Sequence, residues 1–459
     1  MIDPEFVAAV RLQYGYKVRT SRERRSQIYS PKTTETVTSK STEAVSEVKS
    51  STGPIVLWIL LAGMVMPPTV ALFLGTLKLS TGRIVLFTLF IPAMKQLFNR
   101  RWRFVWSDPL VAVGVLWIIG SRFFVEGINA TSFMEGFEFM GFYVLGRALF
   151  FEPAAIKEML PKLRIIAVLL LAFAFMDFFT NTFVINELGG KIFHTVTLAS
   201  QRDYAHFHRQ LFGRDVIRAT STFDHPILYG TFCSIAGAIF LFAERKMILR
   251  IFSVGVCYAG VLISGSSAAL MVSVVTLGVY AYDLMLSKYN ARWKVFVMLL
   301  LAAYLLINMV IAHPLNWIIL HLTFDPVSGY YRINEWDAGV EQIKQHPYIG
   351  FGSGHVFGND YLDVSIDSVF LGLALKYGLP VCVLLLLSIF VLFLKNPGKK
   401  IEDKEFLRFR TIFTIINSLL IFVGFTVFYW NAMWEFWGLC IGIRASLEER
   451  LNQQLRHRR

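Results

Sequence analysis

Two arginines in long polar stretches are the strongest candidates for chemistry in this chain of 459 residues. Arg218 lies near the end of the first stretch, about 184–225, and Arg332 lies in the second, about 314–366. A guanidinium group can hold phosphate or pyrophosphate through two parallel hydrogen bonds. Apolar runs of helical length flank both stretches, so we expect the two arginines to bind a phosphate-bearing ligand beside a membrane.

The first stretch ends in Arg218-Ala-Thr-Ser-Thr-Phe-Asp-His225-Pro226, and an apolar run follows at once. Proline favours the first turn of a helix, so the pattern predicts a helix that begins at Pro226, with Asp224 or His225 as its cap. The free N–H groups at such a helix start can hold an anion. Capping alone explains the same residues equally well, and both interpretations stay open.

The second stretch combines aromatic, histidine and glycine residues around Arg332. Apolar residues at helical spacing predict a short helix that lies along the membrane surface and ends at Pro347. The glycines after Pro347 are not a nucleotide-binding loop, because no Gly-Lys-Ser/Thr sequence follows them. The apolar residues of the predicted helix are Ile333, Trp336, Val340 and Ile343.

A proton acceptor is expected at Asp367, which stands just before another apolar run. His346 and His355 are the alternative bases. A carboxylate at position 367 could equally cap a helix. A divalent cation held by Asp360, Asp363 and Asp367 is a further alternative, but such residues usually form turns, so no metal and no cofactor is expected.

The whole chain has the composition of a polytopic membrane protein. Its mean hydropathy is +0.53, 55% of its residues are hydrophobic and only 17% are charged. We predict an all-α fold with about 12 transmembrane helices, since each span needs about 20 apolar residues. Prolines break the first predicted span at Pro67 and Pro68, and Gly378 with Pro380 breaks the tenth. The predicted spans are 54–76, 83–99, 109–125, 132–151, 163–183, 226–243, 251–267, 268–286, 294–313, 367–394, 410–429 and 430–446.

The charges of the connecting segments set the predicted orientation. The links expected in the cytoplasm are basic, as the positive-inside rule requires. This orientation leaves a disordered N-terminal tail (1–53) and a C-terminal tail (447–459) in the cytoplasm, on either side of a transmembrane domain (54–446). Both long stretches then face the periplasm as loops that contain short helices. Lys78 and Arg83, in an outward turn, are a minor exception to the rule.

Taken in order, the motifs resemble those of the O-antigen polymerase and O-antigen ligase superfamily. An arginine precedes a Phe-x-His-Pro-x-x-x-Gly helix start at 223–230, and a Ser-x-Ser turn follows at 264–266. Arg-x-x-x-Trp at 332–336 then precedes His-Pro-x-x-Gly-x-Gly at 346–352. The resemblance covers about 215–380; its motif in the second stretch is fairly specific, whereas the others are weak alone.

The resemblance implies an inverting, metal-independent glycosyltransferase that polymerises polyprenyl-diphosphate-linked oligosaccharide into a surface or exopolysaccharide. The reaction would take place at the outer face of the bacterial cytoplasmic membrane, and Arg218 and Arg332 would hold the pyrophosphate. Two departures are present. The turn lacks the arginine that often follows Ser-x-Ser in the family, and Asp367-Ser368 stands where ligases typically have His-Asn, which favours a polymerase.

The implied partners are a lipid-linked donor and acceptor, membrane lipids, a flippase and a chain-length regulator, with no nucleic acid. One alternative is a ligase that transfers polysaccharide to another acceptor, and the other is a transporter. The two halves of the chain show no internal repeat, which counts against a transporter. Glu135, Glu138 and Glu435 near outer span ends could bind acceptor sugar, although interfacial solvation also explains them. Beyond the arginines and Asp367, the residues expected to contact substrate are His225, Tyr331, Trp336, His346 and His355.

Overall fold

The computed structural model describes residues 53–75, 77–127, 130–198, 207–211, 214–289, 291–311, 326–353, 358–359, 362–363, 366–394 and 403–457. These residues form fifteen helices and three antiparallel hairpins of two strands each. Residues 1–52 of the predicted N-terminal tail lie outside the described residues, as do His355 and Asp360.

The helices before the second polar stretch are α1 (Pro54–Met64), α2 (Thr81–Asn99), α3 (Ser107–Glu126), α4 (Ala130–Leu149), α5 (Pro153–Thr180), α6 (Val184–Phe193), α7 (Pro226–Ala243), α8 (Met247–Ser264), α9 (Ser267–Met285) and α10 (Arg292–Val310). The later helices are α11 (Pro326–Ile343), α12 (Val369–Tyr377), α13 (Leu379–Phe393), α14 (Lys404–Gly424) and α15 (Ala432–His457). The hairpins pair β1 (Ala71–Leu74) with β2 (Leu77–Ser80), β3 (His208–Leu211) with β4 (Arg214–Ile217), and β5 (Gly358–Asn359) with β6 (Leu362–Asp363).

Within the described residues, seven helices are long and apolar enough to cross a membrane, namely α3, α5, α7, α8, α9, α10 and α14. Helices α1 and α13 are apolar but shorter. Helix α7 is central, because 94% of it is buried, whereas α10 buries none of its residues. A helix that is apolar on all sides is stable without protein neighbours only in lipid. The chain is therefore an all-helical, polytopic membrane protein.

Both predicted helix breaks are confirmed. Helix α1 ends at Met64, before Pro67 and Pro68, because proline cannot continue a helix. Hairpin β1–β2 follows, so the first span predicted to residue 76 was too long. Gly378 separates α12 from α13 with φ 88°, and a Cβ at this position would overlap the carbonyl oxygen of Tyr348.

Helices α4 and α15 touch through glycines. A Cβ at Gly442 would overlap the carbonyl oxygen of Tyr143, and one at Gly438 would lie 2.8 Å from that of Phe139. Gly146 on α4 faces α15 in the same way. Small residues four apart allow such close backbone contact, which drives helix packing where lipid removes the hydrophobic effect.

Buried ion pairs fix the other end of the same two helices. Arg147 of α4 pairs with Asp108 at 2.9 Å and with Glu449 of α15 at 3.0 Å. Arg444 pairs with Glu448 at 3.0 Å along α15. Because these charges are buried and paired, α15 continues through residues 447–457, beyond the point where its hydropathy signal ends.

We predict that Gly442→Ala lowers the stability of the protein. Helix propensity alone would favour alanine, but the added Cβ overlaps backbone, and such overpacking costs about 1–3 kcal/mol. Thermal unfolding of the purified protein in detergent should show a lower midpoint. Gly120→Ala in α3 is the matched control, because a Cβ there meets nothing within 4 Å. Equal midpoints for both variants would contradict the prediction.

Candidate functional site

A buried carboxylate positions the turn at 218–225, which carries the first predicted motif. The Oδ2 atom of Asp177, near the end of α5, accepts hydrogen bonds from the backbone N–H of Ser221 at 2.8 Å and of Thr220 at 3.2 Å. The side chain of Asn186 in α6 donates to the Ser221 carbonyl at 3.2 Å. These bonds hold Ser221 in the left-handed region, with φ 56°.

Asp177 and Asn186 were missed by the sequence analysis. For Asp177 the available signal was an ionisable residue within an apolar run, since such residues are rare and usually have a specific partner. Both side chains are fully buried, at 0% exposure. Their role is to shape the turn, because Asp177 accepts from its backbone N–H groups and Asn186 donates to its carbonyls.

The predicted helix start after this turn is confirmed. Helix α7 begins at Pro226, and His225 caps it, since its Nδ1 accepts from the backbone N–H of Ile227 at 3.1 Å. The His225 ring also contacts the rings of Phe207 at 5.1 Å and Trp430 at 6.0 Å. These contacts account for His225 as a structural residue, and its predicted substrate contact stays a prediction.

Arg218 lies against the Ser-x-Ser turn between α8 and α9. Its Nε donates to the carbonyl of Ser264 at 3.2 Å, and its backbone N–H donates to the carbonyl of Phe207 at 2.7 Å. Gly265 makes the turn with φ 59°, and Ser266 caps α9. The structure therefore brings together two motifs that are separated by about 46 residues in the sequence.

A second cluster joins α11 to the start of α12. Arg332 is 7% exposed, and among the described residues its Nε has no hydrogen-bond partner. The Oε1 atom of Glu335, one helical turn on, accepts from the backbone N–H of Asp367 at 2.7 Å and of Ser368 at 3.2 Å. Ser368 caps α12 by accepting from Leu371. Asp367 is therefore held through its backbone, and its side chain is half-buried.

The other predicted residues of the second stretch differ in their surroundings. Trp336 donates from Nε1 to the carbonyl of Phe425 at 3.2 Å and packs on its ring. Tyr331 is exposed. His346 is exposed and contacts the edge of the Phe351 ring at 4.7 Å. Trp336 thus anchors α11, whereas Tyr331 and His346 stay available at the surface.

The metal alternative rested on Asp360, Asp363 and Asp367. The first of these residues and the side chain of the second lie outside the described part of the chain. Within the described part, no group of three or more His, Cys, Asp or Glu residues is placed to hold a metal ion.

Residues 425–431 join the two motif regions. At one end, the Phe425 carbonyl accepts from Trp336 of the second stretch. At the other end, the side chain of Asn431 donates to Asp224 of the first stretch at 2.8 Å. Six residue steps span at most about 22 Å, so both regions lie at the same end of the helices and close together.

A cavity of about 250 Å³ lies next to the first motif, where α2 and α15 begin. We call it the polar cavity. Its polar lining includes side chains from three separate segments, namely Lys78, Ser80, Arg83, Thr222, Asp224, Asn431 and Glu435. Lys78 and Arg83 stood out in the sequence only as an exception to the positive-inside rule, and no local pattern indicated their place in this lining.

The charges of the polar cavity are partly desolvated. Burial lowers the pKa of Lys78, while the charge of Asp224 acts in the opposite direction. Burial likewise raises the pKa of Asp224, against the hydrogen bond from Asn431 and the charge of Lys78. Arg83 forms an ion pair with Glu138 and donates to the Lys78 carbonyl. A ligand in this cavity would therefore meet charged groups that water screens only weakly.

An apolar groove of about 360 Å³ adjoins the polar cavity. We use this name for the space between α1, α5 and α6, which is lined by side chains such as Ala62, Val70, Ile166, Phe173 and Leu188. Met66 and Thr222 line both the groove and the polar cavity. An amphiphilic ligand could therefore place an apolar chain and a polar group on either side of these two residues.

We predict a pH dependence of stability that arises from Glu335. Burial, and then the charge of Asp367, raise its pKa from 4.5 to about 8. Since the folded state holds this proton more tightly, the stabilisation is complete below about pH 4.5 and is lost as the pH rises through about 8. Glu335→Gln keeps an acceptor oxygen for the backbone of Asp367 and Ser368. The midpoint of thermal unfolding should fall between about pH 4.5 and 8 more steeply in the wild type than in this variant, and parallel curves would contradict the assignment.

Comparison with known proteins adds no family assignment. No protein-family model matches the chain, and no curated protein matches it. A function must therefore be inferred from the residues and contacts themselves.

Proposed function

We propose that this protein is a membrane glycosyltransferase of the O-antigen polymerase and O-antigen ligase superfamily. It would polymerise polyprenyl-diphosphate-linked oligosaccharide at the outer face of the bacterial cytoplasmic membrane. The observation that carries the proposal is the buried guanidinium of Arg332, whose Nε has no hydrogen-bond partner among the described residues. A lipid-linked pyrophosphate sugar would supply the missing phosphate oxygen, whereas a neutral sugar would not.

The incomplete hydrogen bonding of Arg332 supports a phosphate-binding role. A buried donor without a partner is costly, so most native structures satisfy such groups. The unpaired Nε of Arg332 would be satisfied by a phosphate oxygen, which also matches its charge. Arg218, which lies against the Ser264 carbonyl, would hold the other side of the pyrophosphate.

The reaction would proceed by attack of an acceptor hydroxyl on the anomeric carbon of the donor sugar. The carbon–oxygen bond to the diphosphate breaks as the new glycosidic bond forms on the opposite face, so the configuration inverts. Arg218 and Arg332 would stabilise the charge that develops on the diphosphate. Asp367, whose backbone is fixed by Glu335, would accept the hydroxyl proton.

The proposed topology has 12 spans and cytoplasmic termini. The seven long apolar helices would provide seven of these spans. The other five would be α1, α2, α4, the α12–α13 pair and α15. Helices α6 and α11 would lie at the outer surface in the two periplasmic loops. The basic links between spans support this orientation.

Reconstitution distinguishes this function from its rivals. The purified protein is placed in vesicles with polyprenyl-diphosphate-linked repeat units, and the lipid-linked products are sized. Longer lipid-linked chains support a polymerase, and transfer to lipid A core or protein supports a ligase. Movement of the lipid across the membrane without new glycosidic bonds would overturn the enzyme proposal.

Arg332→Ala and Arg218→Ala should each slow polymer formation on the order of a hundredfold, because each removes a donor to the transition-state charge. Arg332→Lys should recover part of the rate, since it restores charge without the two-pronged geometry. Lys344→Ala is the matched control, because Lys344 is exposed one residue beyond α11. Wild-type chain lengths in both alanine variants would remove these arginines from the site.

Asp367→Asn should strongly reduce the rate, because an amide cannot accept the hydroxyl proton. Asp337→Asn, at an exposed position of α11, should leave the rate unchanged. Both rates are measured with variants that accumulate normally in the membrane. Full activity of Asp367→Asn would leave Asp367 as a structural residue.

A further inference from the structure

The polar cavity contains a buried carboxylate whose hydrogen bonding is incomplete. Glu435 is 2% exposed, and within the described chain its Oε2 atom has no hydrogen-bond partner. Its carboxylate packs against Gly82, where a Cβ would overlap both oxygens. The carboxylate is therefore fixed beside the cavity with an acceptor that a ligand could satisfy.

The rest of the cavity suits a sugar ring. Asp224, Asn431 and Lys78 supply hydrogen-bonding groups, while Met66 and Phe223 supply apolar surface. A sugar presents hydroxyls at its edge and C–H groups on its faces, which this combination matches. The volume of about 250 Å³ lies below the roughly 300–1,000 Å³ of sites for drug-sized ligands, so it suits a single ring better than a whole oligosaccharide.

The charges disfavour a phosphate in the same cavity. Of the cations that line it within the described chain, Lys78 and Arg83, the second is already paired with Glu138. Two carboxylates, Asp224 and Glu435, would face a bound phosphate at close range. A phosphate offers these carboxylates only acceptor oxygens, whereas sugar hydroxyls can donate hydrogen bonds to them.

We propose that the polar cavity binds a sugar ring of the acceptor, with one hydroxyl donating a hydrogen bond to Oε2 of Glu435. This inference rests on the proposed function and assigns the acceptor a binding site separate from that of the donor. The acceptor sugar would lie among Lys78, Asp224 and Glu435, whereas the donor pyrophosphate would lie at Arg218 and Arg332. Glu435 acts as a binding residue and takes no part in proton transfer.

The test measures binding of a sugar that carries neither lipid nor phosphate. The probe is the free oligosaccharide released by mild acid from the lipid-linked repeat unit of the native cells. Its dissociation constant is measured by saturation-transfer NMR with the full-length protein in nanodiscs. Glu435→Gln should weaken binding about 10- to 100-fold, because the amide NH₂ that replaces one oxygen cannot accept from the sugar hydroxyl, and a buried donor left without a partner is costly. Glu341→Gln, an exposed glutamate of α11, is the matched control and should bind as the wild type does.

Two further measurements keep the inference testable if Glu435→Gln folds poorly. Gly82→Ala should also weaken binding, because its Cβ displaces a carboxylate that is still present. Inorganic pyrophosphate should not displace the oligosaccharide from the wild-type protein. Absence of oligosaccharide binding, displacement by pyrophosphate, or equal affinity in the wild type and Glu435→Gln would overturn the cavity assignment.

Failure of the cavity assignment and failure of the proposed function give different results. Equal affinity in the wild type and Glu435→Gln, together with active polymerisation, overturns the acceptor site and leaves the enzyme proposal standing. Glu435-dependent binding without any new glycosidic bonds keeps a sugar site in the cavity but overturns both the polymerase and the acceptor role.

Discussion

The close contact between α4 and α15 is the constraint on which the rest of the structure depends. Glycines at 146, 438 and 442 let the two backbones touch, and no side chain can enter between them. At one end this contact brings Glu435 of α15 to the polar cavity, where Glu138 of α4 pairs with Arg83. At the other end it brings Glu449 to Arg147. A small change in helix separation would therefore alter both ends of the bundle.

Charge burial in an apolar bundle is expensive, and the chain offsets this cost by giving most buried charges a partner. Asp177 accepts backbone hydrogen bonds, and Arg147 has two carboxylates. Within the described residues, five charged side chains keep a buried polar atom without a partner, namely Arg100, Glu158, Arg332, Glu435 and Arg450. Of these, Arg332 and Glu435 lie at the end of the helices where the two polar stretches meet. Incomplete hydrogen bonding at that end is what a ligand site requires before the ligand arrives.

Residues 425–431 explain how two stretches far apart in the sequence contribute to one region. The segment leaves α14 in a turn and is not helical over residues 427–430, so its groups can bond to the regions on both sides. Trp336 binds one end, and His225 and Asp224 contact the other. A continuous helix through this segment would have used the Phe425 carbonyl for a hydrogen bond within the helix.

Local features of the fold could be predicted from the sequence. The helix start at Pro226 with its His225 cap, the break at Gly378 and helix α11 in the second stretch all depend on residues within a few positions of each other. Proline, glycine and apolar spacing act on neighbouring backbone, so their effect needs no tertiary contact. The end of α15 was not predictable in this way, because its polar residues are buried only through partners on α4 and α14.

The sequence by itself determined that the chain is a polytopic membrane protein and where several of its helices begin and break, because hydropathy and capping are local properties. Only the tertiary structure decided which charges share a space. Lys78, Asp224 and Glu435 come from three distant segments, and no spacing in the sequence relates them. Their meeting depends on how β2, the turn before α7 and the start of α15 pack together, which is a property of the whole bundle.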